Sequence, residues 1–255
     1  MRVNTPMLEC REITVAGRLR AFSTLVMPGC RIHIIGPNGA GKSTLLTRLA
    51  GMSAGDGEVI LDGQRLTDIP GPRQARLRAW LCQQLTPASL MPVFQYLSLH
   101  QPQKVDPAVL ERTTSYLCDA LHLSDKLGRP VTHLSGGEWQ RVRLAAALLQ
   151  VWPTVNPDSQ LLFLDEPMNS LDVAQQQALD QLLSAFCAAG RSVVLSDHDL
   201  NHTLHYAHQV WLMSQGQVMA AGKCADVMQS EILSDVYKVA FQIHELAGRQ
   251  WIMAT

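Results

Sequence analysis

Eight consecutive residues, Gly36-Pro37-Asn38-Gly39-Ala40-Gly41-Lys42-Ser43, fit the pattern G-x-x-x-x-G-K-[ST], and Thr44 continues the run. Glycines let a backbone close around an anion so that its N–H groups point at phosphate oxygens, and a helix opening behind the loop adds positive potential. The Lys42 ammonium can reach the β and γ phosphates of a nucleotide, and the Ser43 hydroxyl can ligate Mg²⁺. A chance Lys-Ser after a glycine-rich turn is the bland alternative; position between a strand and a helix argues against it.

A second pair of chemical groups, Asp165-Glu166, closes the apolar run Leu161-Leu162-Phe163-Leu164. At the carboxyl end of a strand, Asp165 is placed to hold the Mg²⁺ shell and Glu166 to polarise a water for in-line attack on the γ-phosphate. Alone, such a pair also suits a solvated strand end. Beside a phosphate loop it becomes the other half of one site.

Those residues need elements to hold them. Arg31-Ile32-His33-Ile34-Ile35 reads as a short buried strand, and Lys42 to Ala50 as a helix with Leu45, Leu46 and Leu49 on one face and Gly51 as its stop. Glu58 to Leu61 followed by Asp62-Gly63 reads as a strand entering a tight turn. From about Gln84 to His133 the pattern turns helical, with Val109-Leu110 through Leu117, Leu121 and Leu123, punctuated by prolines. Leu161–Leu164 and Ser192–Leu195 are continuous apolar runs of the kind found in a parallel sheet covered on both faces. Between them a helix is expected from Val173 to Ala189, carrying Leu179, Leu182, Leu183 and Phe186, with Gly190 as its cap. The tail predicts a hairpin (Gln209 to Met213, Gln217 to Ala220), a helix over Ala225 to Val236 and a second hairpin turning at Ala247-Gly248. Strand-helix-strand order indicates an α/β fold.

With 255 residues, 47% of them hydrophobic, the chain can bury a sizeable core. Its 21 basic and 22 acidic side chains give no field that would attract nucleic acid or anionic lipid. The start, Met1 to Thr14 with Arg2, lacks an apolar leader, and no stretch approaches a membrane span. Six scattered cysteines without C-x-x-C pairing read as reduced thiols of a cytosolic protein rather than a disulfide framework or zinc site. His198, His202 and His205 share a helical face, but the glutamate of H-E-x-x-H is absent; His202, His205 and His208 are read as solvated.

Leu134-Ser135-Gly136-Gly137-Glu138-Trp139-Gln140-Arg141 resembles the signature motif of ABC-cassette ATPases. Ser135, Gly136 and Gly137 open an apolar-patterned helix and offer a hydroxyl and free N–H groups, a second phosphate clamp. The resemblance covers nearly the whole chain in order: Gln83 matches the Q-loop, Ser170-Leu171-Asp172 the D-loop and His198 the switch histidine. It implies an α/β phosphate-loop fold with an N-terminal antiparallel β part and an inserted helical subdomain. Residues 1–83 and 158–255 would form the catalytic core, and 84–157 the subdomain carrying the signature. It implies ATP and Mg²⁺ as ligands, with Gln83 touching Mg²⁺ or the water, His198 contacting the γ-phosphate and Asp172 crossing a dimer interface. One phosphate loop and one signature per chain imply a head-to-tail pair with two composite sites.

Within that family the chain is similar to ATP-binding subunits of enterobacterial cobalamin (vitamin B12) importers, over Leu134 to Gln150, Leu164 to Gln176 and Ser196 to Leu204. Trp80 to Gln84, Pro92-Val93 and Tyr96 to Gln101 carry the same likeness. This implies two copies beneath two copies of a multi-span permease at the cytoplasmic face of the inner membrane, fed by a periplasmic cobalamin-binding protein. An iron-siderophore or haem importer stays open as an alternative, since no residue here would touch cargo. A soluble ABC ATPase acting on DNA or ribosomes fits less well, because sustained heptads and a second cassette are absent. A small-molecule kinase would leave the signature and switch histidine unexplained. Two departures from the family pattern stand out: Glu12 to Ala21 has no aromatic residue in the stretch expected to stack on adenine, leaving base recognition to an aliphatic contact, and Cys30 replaces a frequent Glu.

Overall fold

Apolar runs such as Ile32–Ile35 and Leu161–Leu164 have no polar face, so they are stable only when covered on both sides. The computed structural model, which describes residues 5–83, 86–87 and 90–255, covers them that way. Met1 and Arg2 of the N-terminal reading, and Gln84, the expected start of the helical insert, lie outside the described residues.

In chain order the elements are β1 (Leu8–Val15), β2 (Leu19–Val26), β3 (Arg31–Ile35), α1 (Lys42–Leu49), β4 (Glu58–Leu61), β5 (Gln64–Arg65), α2 (Gly71–Leu77), β6 (Arg78–Leu81), α3 (Val93–Ser98), α4 (Pro107–Ala120) and α5 (Gly136–Val151). There follow β7 (Leu161–Leu164), α6 (Val173–Ala188), β8 (Ser192–Ser196), α7 (Leu200–Tyr206), β9 (Gln209–Ser214), β10 (Gln217–Lys223), α8 (Cys224–Val227), α9 (Ser230–Tyr237), β11 (Phe241–Leu246) and β12 (Arg249–Ala254).

The central sheet has the order β10-β9-β3-β8-β7-β6, parallel from β9 to β6 with β10 antiparallel at the edge. A second, antiparallel sheet, β2-β1-β4-β5, lies against it, and β11-β12 form a separate hairpin. This is the α/β arrangement with an antiparallel N-terminal part. Strand register decides where the chemistry goes. Ile34 pairs with Ser196, Leu195 with Leu164, and Leu164 with Leu81. The segments that leave β3, β8, β7 and β6 therefore emerge at one carboxyl edge, where an open α/β sheet binds its ligands.

Three apolar clusters hold this frame. In one, α5 is buried nearly all round, with Val142, Leu144 and Leu148 against Leu162 and Leu164 of the sheet and Leu179, Leu183 and Phe186 of α6. Full burial of each such side chain contributes about 1.5–3 kcal/mol before entropy is subtracted. A second joins Ile13 and Val26 of the antiparallel sheet to Leu45, Leu46 and Trp211, and a third packs Val227, Leu233 and Val236 on Val210 and Leu212.

Two elements differ from the sequence reading. Arg78–Leu81 is a strand in the central sheet, which four residues after a helix do not announce by periodicity. The helix expected over Ala225 to Val236 is two helices, because Met228 (ψ 55°) leaves helical geometry to bury itself and Gln229 is extended ahead of α9. No helix among the described residues is long and apolar enough to cross a membrane.

Candidate functional site

The phosphate loop joins β3 to α1. At Gly36 (φ 147°) an added Cβ would lie 2.2 Å from the Met213 carbonyl oxygen, so the chain can turn there only as glycine. Gly41 caps α1 without a side-chain hydrogen bond, and the first turn carries no acidic residue, which leaves the helix's first N–H groups and its positive end to a ligand. Lys42 is buried and its Nζ donates to the carbonyls of Gly36 (2.8 Å) and Pro37 (3.3 Å). Burial lowers its pKa against the opposing pull of Glu166, Asp165 and Asp197. Ser43 Oγ donates to Asp165 Oδ1 at 3.1 Å, joining loop and β7 terminus directly.

Asp165, buried at the end of β7, also accepts from Ser196 Oγ at 2.6 Å, and its own N–H donates to Leu81. The chain then turns sharply: Glu166 has φ 49°, and its N–H donates to the same Ser196 hydroxyl at 2.8 Å. That turn lifts the Glu166 carboxylate out of the sheet edge. It accepts from His198 Nε2 (2.5 Å), Gln83 Nε2 (2.8 Å) and Asn169 Nδ2 (2.5 Å). Burial raises its pKa, yet the hydrogen bonds and charge of His198, with Gln83 and Asn169, outweigh it and hold the carboxyl below the usual range. A carboxylate that stays ionised and oriented by three donors can accept a proton from water.

One cleft of about 1170 Å³ is lined by Asn38 through Thr44, Gln83, Glu166, Asn169 and His198. The structure thus brings the loop, the catalytic carboxylate candidate, Gln83 and His198 to one cavity, with Asp165 bonded beneath them. Ser135 and Gly136 line a neighbouring cavity of about 460 Å³, which shares Gln83, Glu166 and Asn169 with the first. Ser135 caps α5 in a capping box with Glu138, and a Cβ on Gly137 would meet the Ser170 carbonyl at 2.7 Å, so signature and D-loop pack closely within the chain. Asp172 is exposed and caps α6 through Gln175 N–H.

Sequence reasoning missed several residues. Asn169 and Ser196 reach Glu166 and Asp165 only because the turn after β7 and the register of β8 bring them there. Arg18, Leu19 and Arg20 form the cleft wall at the antiparallel sheet, with Gly216 wedged between Ala40 and Arg20 by backbone hydrogen bonds. Arg18, Leu19 and Arg20 belong to the stretch Glu12 to Ala21 that the sequence assigns to base recognition, though it singles out none of them.

The histidines required correction. The three on a shared face do not converge: His198 turns to Glu166, His202 to Asp197 and Asp180, and His205 to the Gln250 carbonyl. His202 is largely shielded rather than solvated, and His208 Nδ1 accepts the Arg31 N–H at 2.9 Å. Their partners come from β3, α6 and the C-terminal hairpin, distant in sequence. All six cysteines are free thiols, four of them buried.

The ABC transporter family profile matches residues 19–169. The Vitamin B12 import ATP-binding protein BtuD of Yersinia pseudotuberculosis is 55% identical over 246 residues, covering 96% of this chain and 97% of the relative. The proteins of the same name from Yersinia enterocolitica and Escherichia coli O157:H7 are 56% and 47% identical, each over 97% of this chain and 98% of the relative. Among solved structures, an ATP binding subunit of an ABC transporter superposes with a TM-score of 0.78 at 26% identity, over 87% of this chain and 91% of that one. A nucleotide-free ATP-binding cassette from an ABC transporter shares the fold with a TM-score of 0.71 at 21% identity, over 91% of this chain and 95% of that one. The chain belongs to the ABC transporter family, as one of its ATPase domains.

Proposed function

We propose that this chain binds and hydrolyses ATP to energise vitamin B12 import, as the ATP-binding subunit of an ABC importer. The observation that carries the ATPase reading is Glu166, held by His198, Gln83 and Asn169 at the rim of the cleft that Lys42 and Ser43 line. The names of the full-length relatives support the cargo.

In this reading the triphosphate lies along Gly36–Thr44, with the loop N–H groups and Lys42 on the β and γ phosphates. Ser43 Oγ and Asp165 Oδ1, 3.1 Å apart, together with the Gln83 amide, form a hard oxygen set that suits Mg²⁺. The ion, when bound, would neutralise charge on the phosphates. Glu166 orients the attacking water and accepts its proton, and His198 faces the γ-phosphate. Residues 1–83 and 158–255 serve as the catalytic core, and 84–157 as the helical subdomain presenting Ser135, Gly136 and Gly137. Those residues would close the ATP site of a second copy, with Asp172 at the interface. Two copies would sit beneath two multi-span permease subunits at the cytoplasmic face of the inner membrane, with a periplasmic cobalamin-binding protein delivering cargo.

Steady-state ATPase assays with nucleotide-binding titrations test the chemistry. Glu166→Gln should keep ATP affinity and lose turnover by about 10²–10⁴-fold, the usual share of a general base. Lys42→Ala should instead weaken ATP binding by about tenfold or more, as expected for a lost charge-assisted phosphate contact. Near-wild-type hydrolysis by Glu166→Gln would refute the role given to that carboxylate.

A further inference from the structure

Behind His198, Arg31 and His33 of β3, Asp180 of α6, Asp197 of the loop after β8, and His202 of α7 form a shielded ionic cluster, the first four buried. Its hydrogen bonds fix the protons. Arg31 Nε donates to His33 Nε2 (3.1 Å), so His33 carries its hydrogen on Nδ1 and donates it toward Asp197 Oδ2 at 3.1 Å, with Thr203 Oγ1 equally near. His202 has a carboxylate on each ring nitrogen: Nδ1 lies 2.5 Å from Asp197 Oδ2 and Nε2 3.0 Å from Asp180 Oδ1. Ionised carboxylates only accept, so both His202 nitrogens must donate and the ring is an imidazolium. Arg31 bonds Asp180 as well, so two cations balance two anions.

The second oxygen of Asp197 faces the other way. Oδ1 accepts the backbone N–H of His198 (2.8 Å) and of Asp199 (3.0 Å). One carboxylate thus spans the ionic cluster on one side and, on the other, the loop from which His198 reaches Glu166. The His33, Asp197 and His202 ligand atoms lie within 4.8 Å of one another, a spacing a cation could use. The ring hydrogens point to carboxylates, however, and Arg31 stands beside them, which favours hydrogen bonding over metal ligation.

We propose that His202 is a positioning residue for His198: pinned between Asp180 and Asp197, it orients the Asp197 carboxylate that holds the His198 loop against Glu166. The proposal rests on the ATPase reading above. Without the imidazolium, Asp197 would be a buried anion short of a partner and would rotate or take up a proton, releasing the two N–H groups. The ionisable groups facing His202 are Arg31 and His33 from β3, Asp180 from α6, Asp197 from its own loop and Tyr206, whose ring lies 5.0 Å away on α7. Lys42 and Tyr237 act on Asp197 from farther off.

A double-mutant cycle on the full chain tests this, with His202→Gln, His198→Ala and the double variant compared for kcat, KM and ATP affinity. His202→Gln should lower kcat by about tenfold with KM and affinity nearly unchanged, and the double variant should be no slower than His198→Ala, because coupled residues do not add. If His198→Ala loses turnover while His202→Gln keeps it, or if the two losses multiply, the positioning role is overturned and the ATPase reading stands. If His198→Ala itself turns over like the wild type, the role given to His198 falls, and this proposal with it. A measurement without any variant covers poor folding of His202→Gln: ¹⁵N ring shifts of the intact chain should show both His202 nitrogens protonated near neutral pH, giving way toward about pH 9. A neutral His202 ring near pH 7 overturns the proposal.

Discussion

Glu166 shows how little of a site's tuning resides in its motif. Its position after Leu161–Leu164 follows from local pattern, as does the whole of Gly36–Ser43, since loop and helix start are contiguous in the chain. Its pKa depends on donors delivered by three different segments, of which Asn169 can reach it only because Glu166 and Ser170 adopt positive φ (49° and 65°). Asn169→Ala removes one donor to the charged form, so the carboxyl pKa should rise. The acid limb of the kcat/KM–pH profile should then move to higher pH, and a limb that stays in place would mean Asn169 does not tune the carboxylate. The reading of His202 as solvated failed for a related reason: its partner Asp180 on α6 is invisible from the helix face until α6 is packed against it, whereas His208 is exposed as read.

Among elements, α5 does most to carry the site. Its buried Arg143 bonds the Cys82 carbonyl and so anchors the chain just ahead of Gln83, while Arg141 donates to the carbonyls of Leu121 (2.7 Å) and His122 (2.8 Å) beyond α4. Helices α1, α4 and α6 were legible because apolar spacing and end signals agree, such as Gly51 after α1 and Gly190 after α6, both at positive φ. The β6 strand was not, because it opens with Arg78 directly after α2 with no turn residue between them, and neither was the break between α8 and α9, which burial of Met228 imposes. Because α4 lies away from the cleft, it allows a clean separation of stability from chemistry. Asp106 caps it by accepting from the N–H groups of Ala108 and Val109. Asp106→Ala should cost about 1 kcal/mol, lowering Tm by about 2–4 °C in a chain of this size. ATPase activity should be unchanged; a lost Tm accompanied by lost turnover would tie α4 to the site.

At the scale of the molecule, aligned strand ends bring four loops to one edge, and buried ionic groups at that edge set the pH range of the fold. His202 is opposed by burial but raised to about 9 by Asp180 and Asp197, so its contribution is complete below its ordinary 6.5 and is lost as pH rises through about 9. His33 is pushed down to about 4 by burial, so the folded state loses stability as pH falls from 6.5 toward that value. Asp197 is resisted by burial but held low by His202 and His33, and loses its contribution in acid. Urea unfolding across pH should therefore show greatest stability near 6.5; stability rising steadily from neutral to alkaline pH would contradict this. Cargo, by contrast, is not written in any side chain of the cleft, and comes from the likeness to whole import ATPases. The most direct measurement is ATP-dependent cobalamin uptake into proteoliposomes holding this chain with a cobalamin permease and the periplasmic binding protein, beside a Glu166→Gln control. Uptake that disappears in the control is the predicted result, whereas ATP hydrolysis without cobalamin uptake would contradict the assignment and point to a different cargo.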